Sequence, residues 1–106
     1  MTDSPEPPRK YQEFMTRFPD LAKAWECIHD AGSKGPLDER TIRLVKLGIS
    51  VGAQLQGATH ASVRKGISQG ITRAEMEQVV ALAAGTIGLP STVAAYVWLK
   101  DVFDKA

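Results

Sequence analysis

His60 is the side chain in this sequence best suited to moving a proton, because imidazole gains and loses one near neutral pH. Four residues earlier stands Gln56, whose amide offers both a donor and an acceptor. In a continuous helix the two lie one turn apart, about 6 Å along the axis at roughly 1.5 Å per residue. Gln56 then either orients the imidazole or holds a substrate carbonyl. The competing roles are an interhelical hydrogen bond for Gln56 and, for His60, a core histidine satisfied by a neighbouring carbonyl. A second set is basic: Arg40, Arg43, Lys46, Arg64, Lys65 and Arg73 follow one another with no acid between them. Such an imbalance raises the local concentration of an organic anion, and Arg43 and Lys46, one turn apart, are the pair placed to bind it. A solvated helix surface, or pairing with acids elsewhere in the chain, would account for the same residues. Sulfur is scarce. Cys27 is the single cysteine, so an intrachain disulfide, a resolving thiol and a two-cysteine metal site are all ruled out. His29 lies two residues from Cys27 and faces another direction on a helix, so no metal site is expected there.

The elements that position these groups read as helices. Residues 1–8 carry Pro5, Pro7 and Pro8 and are expected to form a flexible arm, leaving 9–106 as one helical domain. A short helix is predicted from Arg9 to Phe18, with Tyr11, Phe14, Met15 and Phe18 on its apolar side. After Pro19, Leu21, Ala24, Trp25 and Ile28 make a second stripe, which Gly32 to Pro36 ends. Asp38 is an N-cap for the central segment, its carboxylate accepting from the free amides of the first turn. That segment places Val45, Ile49, Ala53, Gln56, His60, Val63 and Ile67 on one face, and Gly48, Gly52 and Gly57 are expected to let helices pack closely against it. Glycine weakens a helix interior by roughly 1 kcal/mol relative to alanine, so a bend or break is predicted between Gly52 and Gly57. Thr72-Arg73-Ala74-Glu75 spells a capping box. Met76, Val79, Val80, Leu82 and Ala83 line the following helix, which Gly85 and Gly88 close, and Pro90 or Ser91 opens the last one. There the apolar residues Val93, Ala94, Tyr96, Val97, Trp98, Val102 and Phe103 cover more than one face, which predicts a subunit contact. No stretch alternates with period two, so the fold class is all-α.

Composition narrows the function. The chain has 106 residues, 24% of them charged, and a formal net charge of +1, which lacks the basicity of a nucleic-acid binder. The uncharged run from Leu47 to Val63 contains Gln54, Gln56, Thr59 and His60, too polar for a membrane span. The N-terminus lacks the basic start and apolar run of a signal peptide, and the lone cysteine fits a reducing interior, so a cytoplasmic location is expected.

Taken together, FPDLAKAW, then GPLDERTIRLVKLGISVGAQLQGATHASVRKGISQGITRAEMEQVVALAAG, then GLPSTVAAY resembles the carboxymuconolactone decarboxylase family, which includes the alkylhydroperoxidase D-like proteins. The features that carry the resemblance are the charged start of the central helix, the small-residue run ending in His60, the Gly-Ile-Thr-Arg-x-Glu turn and the Gly-x-Pro before the last helix. The resemblance implies an alkylhydroperoxidase D-like orthogonal bundle of about five to six helices that assembles into dimers, trimers or hexamers. In the peroxidase branch of that family a C-x-x-C pair stands seven and four residues before the family histidine and forms a redox disulfide. Here those places are Ala53 and Gln56, which implies no thiol peroxidase activity. In the decarboxylase branch charged residues fill the same places and help the histidine handle an anionic lactone, whereas Ala53 and Gln56 are neutral. The function implied is cofactor-free proton transfer, a decarboxylation or isomerisation, on a small organic acid with His60 as acid and base. Gln56, Arg43 and Lys46 would bind the substrate, and no metal or cofactor is needed. The alternative is a non-catalytic ligand-binding or scaffold oligomer of the same fold. A peroxidase built on Cys27 ranks last.

Overall fold

The computed structural model describes residues 8–105, so the arm expected over 1–8 lies outside the described residues except for Pro8, which precedes the first helix. Helices α1 (Arg9–Arg17), α2 (Pro19–Ser33), α3 (Glu39–Gly52), α4 (Gln56–Ser68), α5 (Arg73–Leu82) and α7 (Leu89–Lys105) are joined by a single turn, α6 (Ala84–Ile87). No strand occurs among the described residues. The local signals act where the sequence puts them. Asp38 Oδ1 accepts from the Thr41 N–H at 2.8 Å and starts α3. Glu75 N–H donates to Thr72 Oγ1 at 3.2 Å while Thr72 N–H donates to Glu75 Oε1 at 2.9 Å, the reciprocal pair of a capping box. Proline at the first position of α2 costs nothing, since that amide has no partner in a helix.

The central segment breaks inside the predicted window. α3 stops at Gly52 and α4 starts at Gln56, with Gln54 at φ 56° in the left-handed region. A residue with a Cβ pays roughly 1–2 kcal/mol there. The Gln54 side-chain amide offsets this by donating to the Val51 carbonyl at 3.0 Å and to the Ser91 carbonyl at 3.3 Å, tying the turn to the start of α7. The break also reassigns the faces. On α3 the interior side is Arg43, Leu47 and Val51, while Val45 and Ile49, expected to face inward, are exposed. A two-residue offset on a helix is a rotation of about 200°, so the stripe drawn through both halves could not stay on one side once the axis changed.

α3, α4, α5 and α7 surround the core of Leu47, Val51, Val63, Ile71, Met76, Val80, Ala95 and Leu99. The glycine that lets these helices close is Gly66: a Cβ there would meet Met76 Sδ at 3.0 Å and Arg43 Cγ at 3.8 Å. Around Gly52 and Gly57 nothing lies within 4 Å, so those two are not packing contacts inside the chain. α1 and α2 bury no residue; Tyr11, Phe14, Phe18, Leu21, Trp25 and Ile28 are between 41% and 62% exposed. The two helices pack on each other more than on the core, and at their junction the Phe14 and Phe18 rings are 5.1 Å apart. The radius of gyration, 14.3 Å, accordingly exceeds the about 13 Å of a close-packed chain this long.

Glu75 also accepts from the Arg40 guanidinium, joining the first turns of α3 and α5. Its carboxyl is lowered from 4.5 to about 2, first by the Thr72 backbone N–H, then by Arg40 and the Thr72 hydroxyl. A carboxyl depressed by folding stabilises above its unfolded value and loses that contribution as pH falls through its folded value. Thermal melts should therefore show Glu75→Gln below wild type at neutral pH, with the gap closing between about pH 4.5 and 2. A gap that is constant across this range would show the carboxylate to be idle.

Candidate functional site

α4 presents two chemically different sides. His60 points from one toward α7, where its Nε2 is 3.8 Å from Asp101 Oδ2, about 1 Å beyond a normal hydrogen bond. The His60 side chain is 26% exposed, yet Nε2 itself is shut off from solvent and has no hydrogen-bond partner. A ring nitrogen in that state is aimed at a carboxylate without being engaged by it. Asp101 was not marked in the sequence reading. The available signal was its register: Ala94, Trp98 and Asp101 fall on one side of a helix, and all three are partly buried.

Ser62, two residues on, faces the other way and accepts from Arg43 Nη1 at 3.3 Å. Arg43 is only 8% exposed, and its Nε is buried without a partner. Burial disfavours its charged form and pulls its pKa down. Arg43 and Lys46 open together into a cleft of about 460 Å³ between the end of α2 and the start of α3, which His29, Ser33, Leu37 and Ile42 also line. The sequence-derived site is thus divided: Arg43 and Lys46 share a cleft, and His60 lies across α4 from them. Gln56, at the first position of α4, is exposed and makes no hydrogen bond to His60. Ala53 is exposed in the turn before it.

A third feature is a groove of about 440 Å³ between α3 and α5, floored by Gly48 and Gly52 and walled by Val45, Val79, Leu82 and Ile87. It is mostly apolar, with Thr41 and Thr86 as the polar residues of its lining. Cys27 is exposed on α2, and no set of three or more His, Cys, Asp or Glu residues among the described residues is grouped to hold a metal. No helix among them is long and apolar enough to cross a membrane.

Beside His60, Thr59 is fully buried and its hydroxyl has no partner. An unsatisfied buried hydroxyl costs about 1–3 kcal/mol, and valine has nearly its shape and helix propensity. Thr59→Val should leave the melting temperature unchanged or raise it by up to about 4–8 °C, the effect of about 1 kcal/mol on a domain this size. A drop of that size would show that the hydroxyl is bonded in solution.

No curated protein and no solved structure matches the chain significantly. The sequence model of the carboxymuconolactone decarboxylase family matches residues 19–101, a span that takes in the α2–α3 cleft, both sides of α4, the capping box and Asp101. The described residues are helical, and the match over most of its length shows that the chain belongs to the carboxymuconolactone decarboxylase family.

Proposed function

We propose that the chain is a subunit of a self-assembling carboxymuconolactone decarboxylase-type protein in which His60 performs cofactor-free proton transfer on a small organic acid. The observation that carries this reading is the His60 Nε2, closed to solvent, free of partners and 3.8 Å from Asp101. In a decarboxylation the bond to the carboxylate breaks, its electron pair becomes an enolate, carbon dioxide leaves, and the imidazolium delivers its proton to carbon. In an isomerisation the neutral ring removes a proton from one carbon and returns it to another. Asp101 stabilises the cationic ring in either case, and the exposure of Gln56 one turn before His60 supports its amide as the group that meets a substrate carbonyl. Self-assembly is supported by the apolar surface of the isolated chain: the unburied stripe of α1 and α2, the Gly48–Gly52 groove, and Val93, Tyr96 and Val97 on α7.

A second reading, a ligand-binding or scaffold oligomer without catalysis, is favoured by the same division of the site. Neither His60 nor Gln56 lines the α2–α3 cleft or the α3–α5 groove.

The two readings separate by experiment. With purified protein and a panel of small unsaturated carboxylic acids, carbon dioxide release or a shifted ultraviolet band reports turnover. His60→Gln should abolish it while light scattering finds the assembly intact; turnover that survives the substitution excludes the histidine mechanism. Gly52→Leu has room in the isolated chain, so it should fold with unchanged circular dichroism yet fill the groove and lower the oligomeric mass. An unchanged mass would place that groove outside the subunit contact.

A further inference from the structure

Six basic residues follow one another from α3 into α5, and the structure divides them. Arg40 pairs with Glu75, and Arg73 Nε donates to Glu77 at 3.1 Å. Arg43, Lys46, Arg64 and Lys65 make no ion pair with a described residue. The outer two are thus neutralised by α5, and the inner four are left as cations. Arg43 is the extreme case, nine-tenths buried with only a long hydrogen bond to Ser62 and an orphaned Nε–H. Glu39 stands four residues before it, the favoured spacing for a helical ion pair, and does not pair with it. Asp38, at the same end of the cleft, is committed to capping Thr41.

We propose that the α2–α3 cleft binds an organic monocarboxylate, its anionic head on the Arg43 guanidinium with Lys46 beside it and its carbon body against Leu37 and Ile42. The guanidinium fork matches a carboxylate in geometry, and a buried cation without a counter-ion is the arrangement such an anion relieves. A volume of about 460 Å³ suits an organic molecule and is far larger than an inorganic oxyanion requires. Leu37 and Ile42 supply the apolar wall, while Asp38 and Glu39 set negative charge at the rim and disfavour a second anionic group on the ligand. The electrostatics agree: Lys65 is depressed first by burial and then by Arg43, Lys46 and Arg64, so the cations crowd one another and an anion relieves all of them. Ser62 steadies Arg43 from behind. Because His60 is on the other side of α4, this site stands whether or not His60 is catalytic.

The test uses the full chain with benzoate as probe, terephthalate as its dianionic counterpart and inorganic phosphate as the small oxyanion, read by calorimetry and by the Arg43 Nε–H resonance. Benzoate should bind and move that resonance, terephthalate and phosphate should bind at least about tenfold more weakly, and Arg43→Met should weaken benzoate by about tenfold or more. Should Arg43→Met fail to fold, Lys46→Gln replaces it with the same expected direction, and the resonance shift in the wild-type chain stands by itself. Phosphate binding as tightly as benzoate would overturn the assignment of a carbon-bearing ligand. A resonance that benzoate leaves unmoved, or an affinity that Lys46→Gln leaves unchanged, would overturn the site. So would failure of benzoate to bind together with an Arg43→Met chain that loses its oligomeric mass, for a carboxylate of a second copy would then be the counter-ion.

Discussion

The absence of a side chain at Gly66 lets Met76 of α5 come close against α4. Met76 Sδ and Cε lie 3.0 and 3.3 Å from where a Cβ would stand, while the Arg43 stem, at 3.8 Å, is in ordinary contact with that point. A Cβ there would require the flexible Met76 thioether to give by a few tenths of an ångström. The Arg43 stem passes the same point, and its guanidinium reaches Ser62. An arginine on the face shared by Leu47 and Val51 is therefore buried because of its neighbours and not because the interior suits a charge. A lone buried cation is costly, and the cleft in front of it is where that cost can be offset.

A second constraint comes from apolar area. A chain this short buries a limited fraction of its surface, and eight buried hydrophobic residues form the core. Many large apolar side chains remain outside, and those of α1 and α2 have no interior to join. Two helices held mainly by each other are marginal in water, since most helix stability derives from packing an amphipathic face. Their aromatic stripe and the glycine-floored groove on α3 are therefore surplus in one copy, and each has the apolar character that another copy would cover.

Features set by neighbouring residues were legible in the sequence. The Asp38 cap and the Thr72–Glu75 box depend on atoms three residues apart, and the break near Gly52 depends on glycine's weak helix preference. Features set by distant partners were not. Gly48, Gly52, Gly57 and Gly66 look alike in the chain, and only the arrival of Met76 distinguishes Gly66. The six basic residues form one run in sequence, but Glu75 and Glu77 neutralise two of them and leave the rest. The stripe through Val45, Ile49, Gln56 and His60 assumed one axis. Once the axis changed at Gln54, its first half faced outward.

The division of α4 bears on the chemistry available to this member of the family. His60 and Ser62 are two residues apart, which on a helix places them on nearly opposite sides. His60 consequently answers to α7 through Asp101, and Arg43 answers to α4 through Ser62. An anion held at Arg43 is separated from the imidazole by the helix itself, so the buried guanidinium cannot serve as the oxyanion donor for a proton transfer at His60. The Gln56 amide, exposed on the outer side, has N–H groups suited to that role, whereas the Asp101 carboxylate can only accept from the imidazole. Two neutral residues, Ala53 and Gln56, precede the histidine, and Asp101 and Arg64, the latter one turn along, are charged groups near it. On the proposed reading, His60 would act as an imidazole backed by a single carboxylate, and the proposed anion site would lie on the opposite side of the same helix.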